Sequence, residues 1–205
     1  MRVLVACEFS GIVRDAFNAL PGAPHFAMSC DLLPSERPGP HYQGDVRDVL
    51  HLGWDLMIAF PPCTYLAVSG AHWALKRPER VPLREEAIRF VRLLAAAPIA
   101  RIAIENPISI LSTRWRPPTQ VIHPHYFGHE ASKATCLWLQ NLPRLLATDI
   151  VDKGEFYQCK DGSRMAKHTH RISGRDKVKR AQHASRTFPG VAQAMALQWG
   201  TTHNI

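Results

Sequence analysis

At 205 residues and 46% apolar content the chain is long enough for one well-buried core and too short for two ordinary domains with a linker, so a single domain over 1–205 is expected. No run approaches the roughly 18 uninterrupted apolar residues of a membrane span, and MRVLVACEF lacks a signal peptide's longer apolar stretch and cleavage site, which excludes a membrane partner and points to a soluble, cytoplasmic monomer. The net charge of +8 favours a polyanion such as nucleic acid, and five cysteines without a CxxC pair indicate reduced thiols.

In chain order, RVLVAC (2–7) reads as a first strand ending in the turn Glu8-Phe9-Ser10-Gly11, and HFAMSC (25–30) as a second strand followed by Asp31. A turn glycine after strand one and an acid about 20 positions later is how open α/β sheets hold a ribose. The same residues also suit a tight turn and a capping aspartate. No GxGxxG occurs, which argues against a pyrophosphate and for a nucleoside-type cofactor. Asp45, in Gly44-Asp45-Val46-Arg47-Asp48, would end a third strand and accept from an adenine amino group, or else cap a helix.

DLMIAF (55–60) runs into Pro61-Pro62-Cys63, where two prolines stiffen the backbone and present the thiol at a strand tip, although a buried or incidental cysteine would read the same way. The loop 64–82 follows. Beyond Pro82, Leu83, Ala87, Ile88, Val91 and Leu94 recur on one helical face with Arg84, Glu85, Arg89 and Arg92 opposite. RIAIEN (101–106) presents Glu105 before Pro107 in the same manner as the prolines present Cys63. An aperiodic loop over 111–129, a strand ATCLWL (134–139), a polar excursion over 142–184 and an amphipathic helix through Phe188, Val191, Met195 and Trp199 complete the chain. The alternation implies a Rossmann-like α/β domain, a mainly parallel sheet with helices on both faces.

These strings in this order resemble the C5-cytosine DNA methyltransferases, in particular their short, phage-associated members. EFSG (8–11), CDLLPS (30–35) and GDVRDV (44–49) are similar to the cofactor motifs, FPPC (60–63) to the nucleophile motif, and IENP (104–107) to the glutamate motif. SKATCLWL (132–139) resembles the basic strand motif, and SRTFPGVAQAMALQWG (185–200) the C-terminal signature. The chain departs from the pattern at Glu8 and Val13, where aspartate and glycine are usual, in reducing an arginine-rich motif to Lys133, and in lacking a Gly-Asn pair near its end. The resemblance implies a single methyltransferase domain using S-adenosyl-L-methionine, with Phe9, Ser10, Gly11, Asp31, Asp45 and Pro61 at the cofactor. It implies Cys63 as nucleophile, Glu105 as acid on the base, Asn106 as its support, and Lys133, or alternatively Thr135, at the base carbonyl or a phosphate.

The partner so implied is DNA, in a bacterial or phage-infected cell, with or without a restriction enzyme alongside. Residues 151–186 hold ten Lys or Arg against four acids, so most of the positive excess lies there, and 142–184 is the candidate target-recognition region. Tyr65, Lys76, Arg77, Lys177, Lys179 and Arg180 are the candidate DNA contacts, with His72 and Trp73 in the same loop as Lys76. Cys159, His168 and His170 match no zinc spacing, so no metal is expected. A catalytically silent DNA-binding version of the fold, and an enzyme acting on RNA or with another one-carbon donor, are the alternatives; attack by an exocyclic amino group fits poorly with a cysteine at position 63.

Overall fold

The computed structural model describes residues 1–22, 25–68, 77–158, 162, 164–166 and 182–201. Seven strands form one sheet: β1 (Arg2–Ala6), β2 (Phe26–Asp31), β3 (His41–Gln43), β4 (Leu56–Ala59), β5 (Arg101–Pro107), β6 (Gln120–Ile122) and β7 (Thr135–Gln140). Their order is β3-β2-β1-β4-β5-β7-β6. All neighbours are parallel except at β7, which runs antiparallel to both β5 and β6. This is the expected Rossmann-like α/β architecture, with one inverted strand in a mainly parallel sheet. A separate hairpin pairs β8 (Phe156–Gln158) with β9 (Arg164–Ala166).

Successive residues of a strand point to opposite faces, and the two cores follow that period. Leu4, Ala6, Met57, Ala59, Ile102, Ile104 and Trp138 face a layer containing Ile88, Val91 and Leu94 of α2 (Arg80–Ala95). Val3, Val5, Leu56, Ile58, Ala103 and Leu137 face α1 (Ile12–Asn18) and the C-terminal helix α4 (Pro189–Gly200), through Val13, Phe17, Val191, Met195 and Trp199. Each of the buried Val, Leu, Ile, Met and Phe side chains contributes about 1.5–3 kcal/mol of transfer free energy. No helix among the described residues is long and apolar enough to cross a membrane.

The aperiodic stretch 111–129 is more ordered than its sequence implies. It contains the short helix α3 (Leu111–Arg114), strand β6 and a 3₁₀ turn at Pro124–Tyr126. Three-residue strands are too short to show alternation, and β6 is recruited by its ladder to β7 rather than by its own propensity. Residues 142–151 lie against the core: Leu145 is buried, Gln120 exchanges two hydrogen bonds with its backbone, and Gln198 does the same with Leu146.

Candidate active site

Parallel strands deliver all their carboxyl ends to one edge of the sheet. Ala59 of β4 stands opposite Ala6 of β1 on one side and Ile104 of β5 on the other, so the turn carrying Cys63 and the residue Glu105 leave adjacent strands at the same edge. The turn is built by its backbone, with the Cys63 carbonyl accepting from Leu66 and Ala67 at 3.0 and 2.9 Å. The turn is also tied to β5: buried Asn106 donates through Nδ2 to the Pro61 carbonyl at 2.9 Å. Asn106 therefore ties the Cys63 turn to β5 and does not hold Glu105 through this bond.

Cys63 is the one exposed cysteine among the described residues, where Cys7 is half-buried and Cys30 and Cys136 are buried. Enough protein stands around it that desolvation, then the Glu105 charge, raises its thiol above the ordinary value, while Lys133 pulls it back. Burial also raises the Glu105 carboxyl, against the charge of Lys133 and a hydrogen bond with Thr135. One cation thus acts on both groups, stabilising a thiolate and a carboxylate alike. The Lys133 ammonium also donates to the Ala184 carbonyl at 2.9 Å. Glu105, Lys133 and Thr135 share a narrow cavity of about 30 Å³ whose other wall is the segment Ser185–Phe188.

A second cleft, of about 250 Å³, opens beyond β1, β2 and β3. Cys7, Cys30, Asp31, Leu32, Gly44, Asp45, Val46, Arg47, Pro62 and Phe90 line it, and Pro62 joins it to the Cys63 turn. Desolvation raises Asp31, which accepts from the Leu33 amide at 2.9 Å. Asp45 caps the 3₁₀ turn Val46–Asp48 and holds the Arg47 side chain, which lowers its carboxyl. The capping alternative for Asp45 is thus realised, at the cleft wall. Burial pushes the Cys30 thiol up to about 12 and raises Cys7 further still, so neither supplies a thiolate at neutral pH.

Of the six cofactor residues expected from sequence, Asp31 and Asp45 line this cleft, and Phe9, Ser10, Gly11 and Pro61 stand outside its lining. Ser10 donates to the buried Glu8 carboxyl at 2.5 Å, and Gly11 takes a φ of +72° before α1. The support that sequence reasoning missed is Arg14. Fully buried, it donates to Ser29 and Ser35 and to the carbonyls of Arg37 and Pro38, fastening the segment after β2 to α1. A Cβ on Gly11 would lie 2.5 Å from its guanidinium, which is why glycine precedes the helix.

Among the expected DNA contacts, Tyr65 lies beneath the Arg80 guanidinium at 4.9 Å, and Arg80 also reaches the Thr64 carbonyl. Arg77 precedes α2. Lys76, His72, Trp73, Lys177, Lys179 and Arg180 lie outside the described residues, as do Cys159, His168 and His170. Arg186, counted in the basic excess, is not an open cation: its Nε and Nη2 grip both oxygens of Glu36 at 2.8 and 2.6 Å, lowering that carboxyl. Phe90, Arg47 and Arg186 carried no signal by type or spacing; Phe188 was read from its helical spacing, and both Arg186 and Phe188 fall within the C-terminal signature string.

No family description matches the chain, and neither does any curated protein. A solved structure from E. coli, encoded within a prophage and described provisionally as a DNA modification methyltransferase, is similar at 14% identity and a TM-score of 0.43. The match covers 74% of this chain and 52% of that one, so this chain spans about half the length of the protein it matches.

Proposed function

We propose that this chain is a DNA (cytosine-5)-methyltransferase that transfers a methyl group from S-adenosyl-L-methionine to carbon 5 of a flipped cytosine through a covalent Cys63 adduct. The observation that carries this reading is an exposed thiol and a carboxyl raised by burial at adjacent strand tips, with one lysine acting on both. A binding module needs no such pair.

The second cleft suits a nucleoside sulfonium. Its charged lining is Asp31 and the paired Asp45 and Arg47, which tolerates a cation and offers no cradle for a pyrophosphate. Asp31 would accept from ribose hydroxyls, and Asp45 would share its carboxylate between Arg47 and an adenine amino group. The bound cofactor supplies an electrophilic methyl group.

Cytosine carbon 5 is a poor nucleophile until a thiolate adds to carbon 6. Cys63 forms that sulfur–carbon bond as Glu105 gives a proton to ring nitrogen 3, which places the electron pair on carbon 5. Carbon 5 would take the methyl group, the electron pair of the broken sulfur–methyl bond staying on the cofactor's sulfur, and then give its hydrogen to solvent as a proton. The carbon–sulfur bond then breaks, returning the pair to Cys63 and the nitrogen proton to Glu105. The target carbon lies inside stacked DNA, so the base must be flipped out of the duplex to reach Cys63 and Glu105. Tyr65, Arg77 and Arg80, with Lys76, Lys177, Lys179 and Arg180, would hold the DNA backbone.

Incubation with tritiated S-adenosylmethionine and DNA, digestion, and identification of the labelled nucleoside test the proposal. Label is expected in 5-methyldeoxycytidine with the native protein and in nothing with Cys63→Ser. Label in an N-methylated base would move the enzyme to another class, and a native-gel shift without label would leave a binding module.

A further inference from the structure

The wall opposite Glu105 is a short segment tied down at both ends. Ser185–Phe188 face the cavity that Glu105, Lys133 and Thr135 share. Before it, the Lys133 ammonium donates to the Ala184 carbonyl at 2.9 Å. Beyond it, the Gly190 amide donates to Nε2 of His129 at 2.9 Å, and the His129 ring packs on Phe188 with 5.2 Å between centroids. This second tie answers a local need. Phe188 stands at the N-cap of α4 with no side-chain oxygen to cap it, and Pro189 has no N–H, so Gly190 carries the first amide that the helix leaves unmet. Glycine is required for so close an approach, because a Cβ there would collide with the Phe127 carbonyl and stand 3.0 Å from Nε2.

A ring nitrogen that accepts carries no hydrogen, so His129 is neutral with its proton on Nδ1. Protonation removes the acceptor and sets a positive charge at the positive end of the α4 dipole. Resting on the methyltransferase reading, we infer that His129 is a positioning residue for methyl transfer: its neutral ring fixes the start of α4 and, through Phe188, the wall that faces Glu105, and proton uptake by the ring releases that wall. The charged and titratable groups around the junction are His123, His125, Glu130 and Lys133 on its own loop and Asp149 and Lys153 on the segment paired with that loop. His183, Arg186 and Glu36 stand on the approach to α4, and Asp15 and Arg37 beside Pro189. Among the described residues none of these forms an ion pair with the His129 ring, and burial moves its titration below the ordinary histidine value. A group so lowered keeps its stabilising contribution above the unfolded value and loses it as pH falls through the folded one, so the tie is complete at neutral pH and opens on the acid side.

The test compares native protein with His129→Gln, which keeps an acceptor near the position of Nε2 and does not titrate, and with His129→Ala, which keeps none. His129→Ala should lower kcat at neutral pH by about tenfold, the scale of one such bond, with cofactor affinity unchanged, and His129→Gln should restore most of the loss. Dividing the native kcat profile by that of His129→Gln cancels the limbs set by Cys63 and Glu105, which both proteins share. The quotient should be level at neutral pH and fall as pH drops below the ordinary histidine value. Hydrogen exchange at the Gly190 amide should quicken over the same range in native protein relative to His129→Gln. A quotient that stays level throughout, or His129→Ala with native kcat and only a lowered melting temperature, makes the bond a strut and overturns the inference. If alanine prevents folding, the quotient and the exchange rates decide. Native protein that methylates no cytosine brings down the functional reading and the positioning role together, whereas an active native protein with a level quotient sinks the inference alone.

Discussion

The bond from Asn106 to the Pro61 carbonyl makes the candidate site most vulnerable. Asn106 is 1% exposed, and its 2.9 Å bond links β5 to the turn that presents Cys63. Asn106→Ala leaves a carbonyl of buried Pro61 without its donor, at a cost of about 1–3 kcal/mol. In a protein of this length each kcal/mol lowers the melting temperature by about 2–4 °C, so a fall of about 2–12 °C is expected by calorimetry. Below that temperature the turn is released, and a displacement of about 1 Å at the thiol lowers methyl transfer on the order of a hundredfold. Asn106→Asp should be slower still, because a carboxylate sets an acceptor against the carbonyl. Cofactor affinity should fall far less than the rate, as Asn106 is outside the second cleft and Pro62 is the part of the turn that lines it. A lowered melting temperature with an unchanged rate would make the bond a strut only, and no change in either would refute its value altogether.

Proton balance dictates a pH signature. In the proposed reaction the competent form holds one proton between the pair, on Glu105 and off Cys63, and both groups titrate above their ordinary values. Native kcat/KM should therefore rise with pH through the raised carboxyl, stay level, and fall only above the raised thiol. Glu105→Gln keeps a neutral donor amide and removes the carboxyl's titration, so the slowed rate should climb through the raised thiol alone, with no fall beyond it; a rise that stays at the native carboxyl's pH would clear Glu105 of the role. Lys133 lowers both groups, so Lys133→Met should move both limbs of the native profile to higher pH, and limbs that stay in place would remove Lys133 from the site's electrostatics. Arg14→Leu strips the donor from Ser29, Ser35 and two carbonyls, at about 1–3 kcal/mol for each acceptor left buried and unpaired. Cofactor affinity measured by titration should fall at least tenfold as the Asp31 segment loosens, and an unchanged affinity would show that α1 does not support the cleft.

Much of the sheet was legible because its long inner strands carry continuous apolar runs: β1, β2, β4, β5 and β7 all fall within two residues of their expected bounds. The prolines at 61, 62 and 107 made two strand tips readable, since they fix local backbone whatever surrounds them. The inversion of β7 was not readable, because a buried strand looks apolar in either direction. β3, as His41-Tyr42-Gln43, has no apolar pattern at all and exists through its ladder to β2. Arg14 and Arg186 reveal the same blind spot: an arginine in sequence reads as a solvated charge, and only tertiary contact with Ser29 and Ser35 or with Glu36 makes it internal wiring.

The covalent step is the centre of the account, and 5-fluorocytosine in DNA tests it most directly. Fluorine at carbon 5 cannot leave as the hydrogen does, so methylation there closes the route by which Cys63 is released. Native protein with S-adenosylmethionine should form a DNA complex that survives denaturing electrophoresis, in full yield only with the cofactor and absent from Cys63→Ser. Native protein that methylates ordinary cytosine DNA yet leaves no such band on the fluorinated DNA would contradict the account.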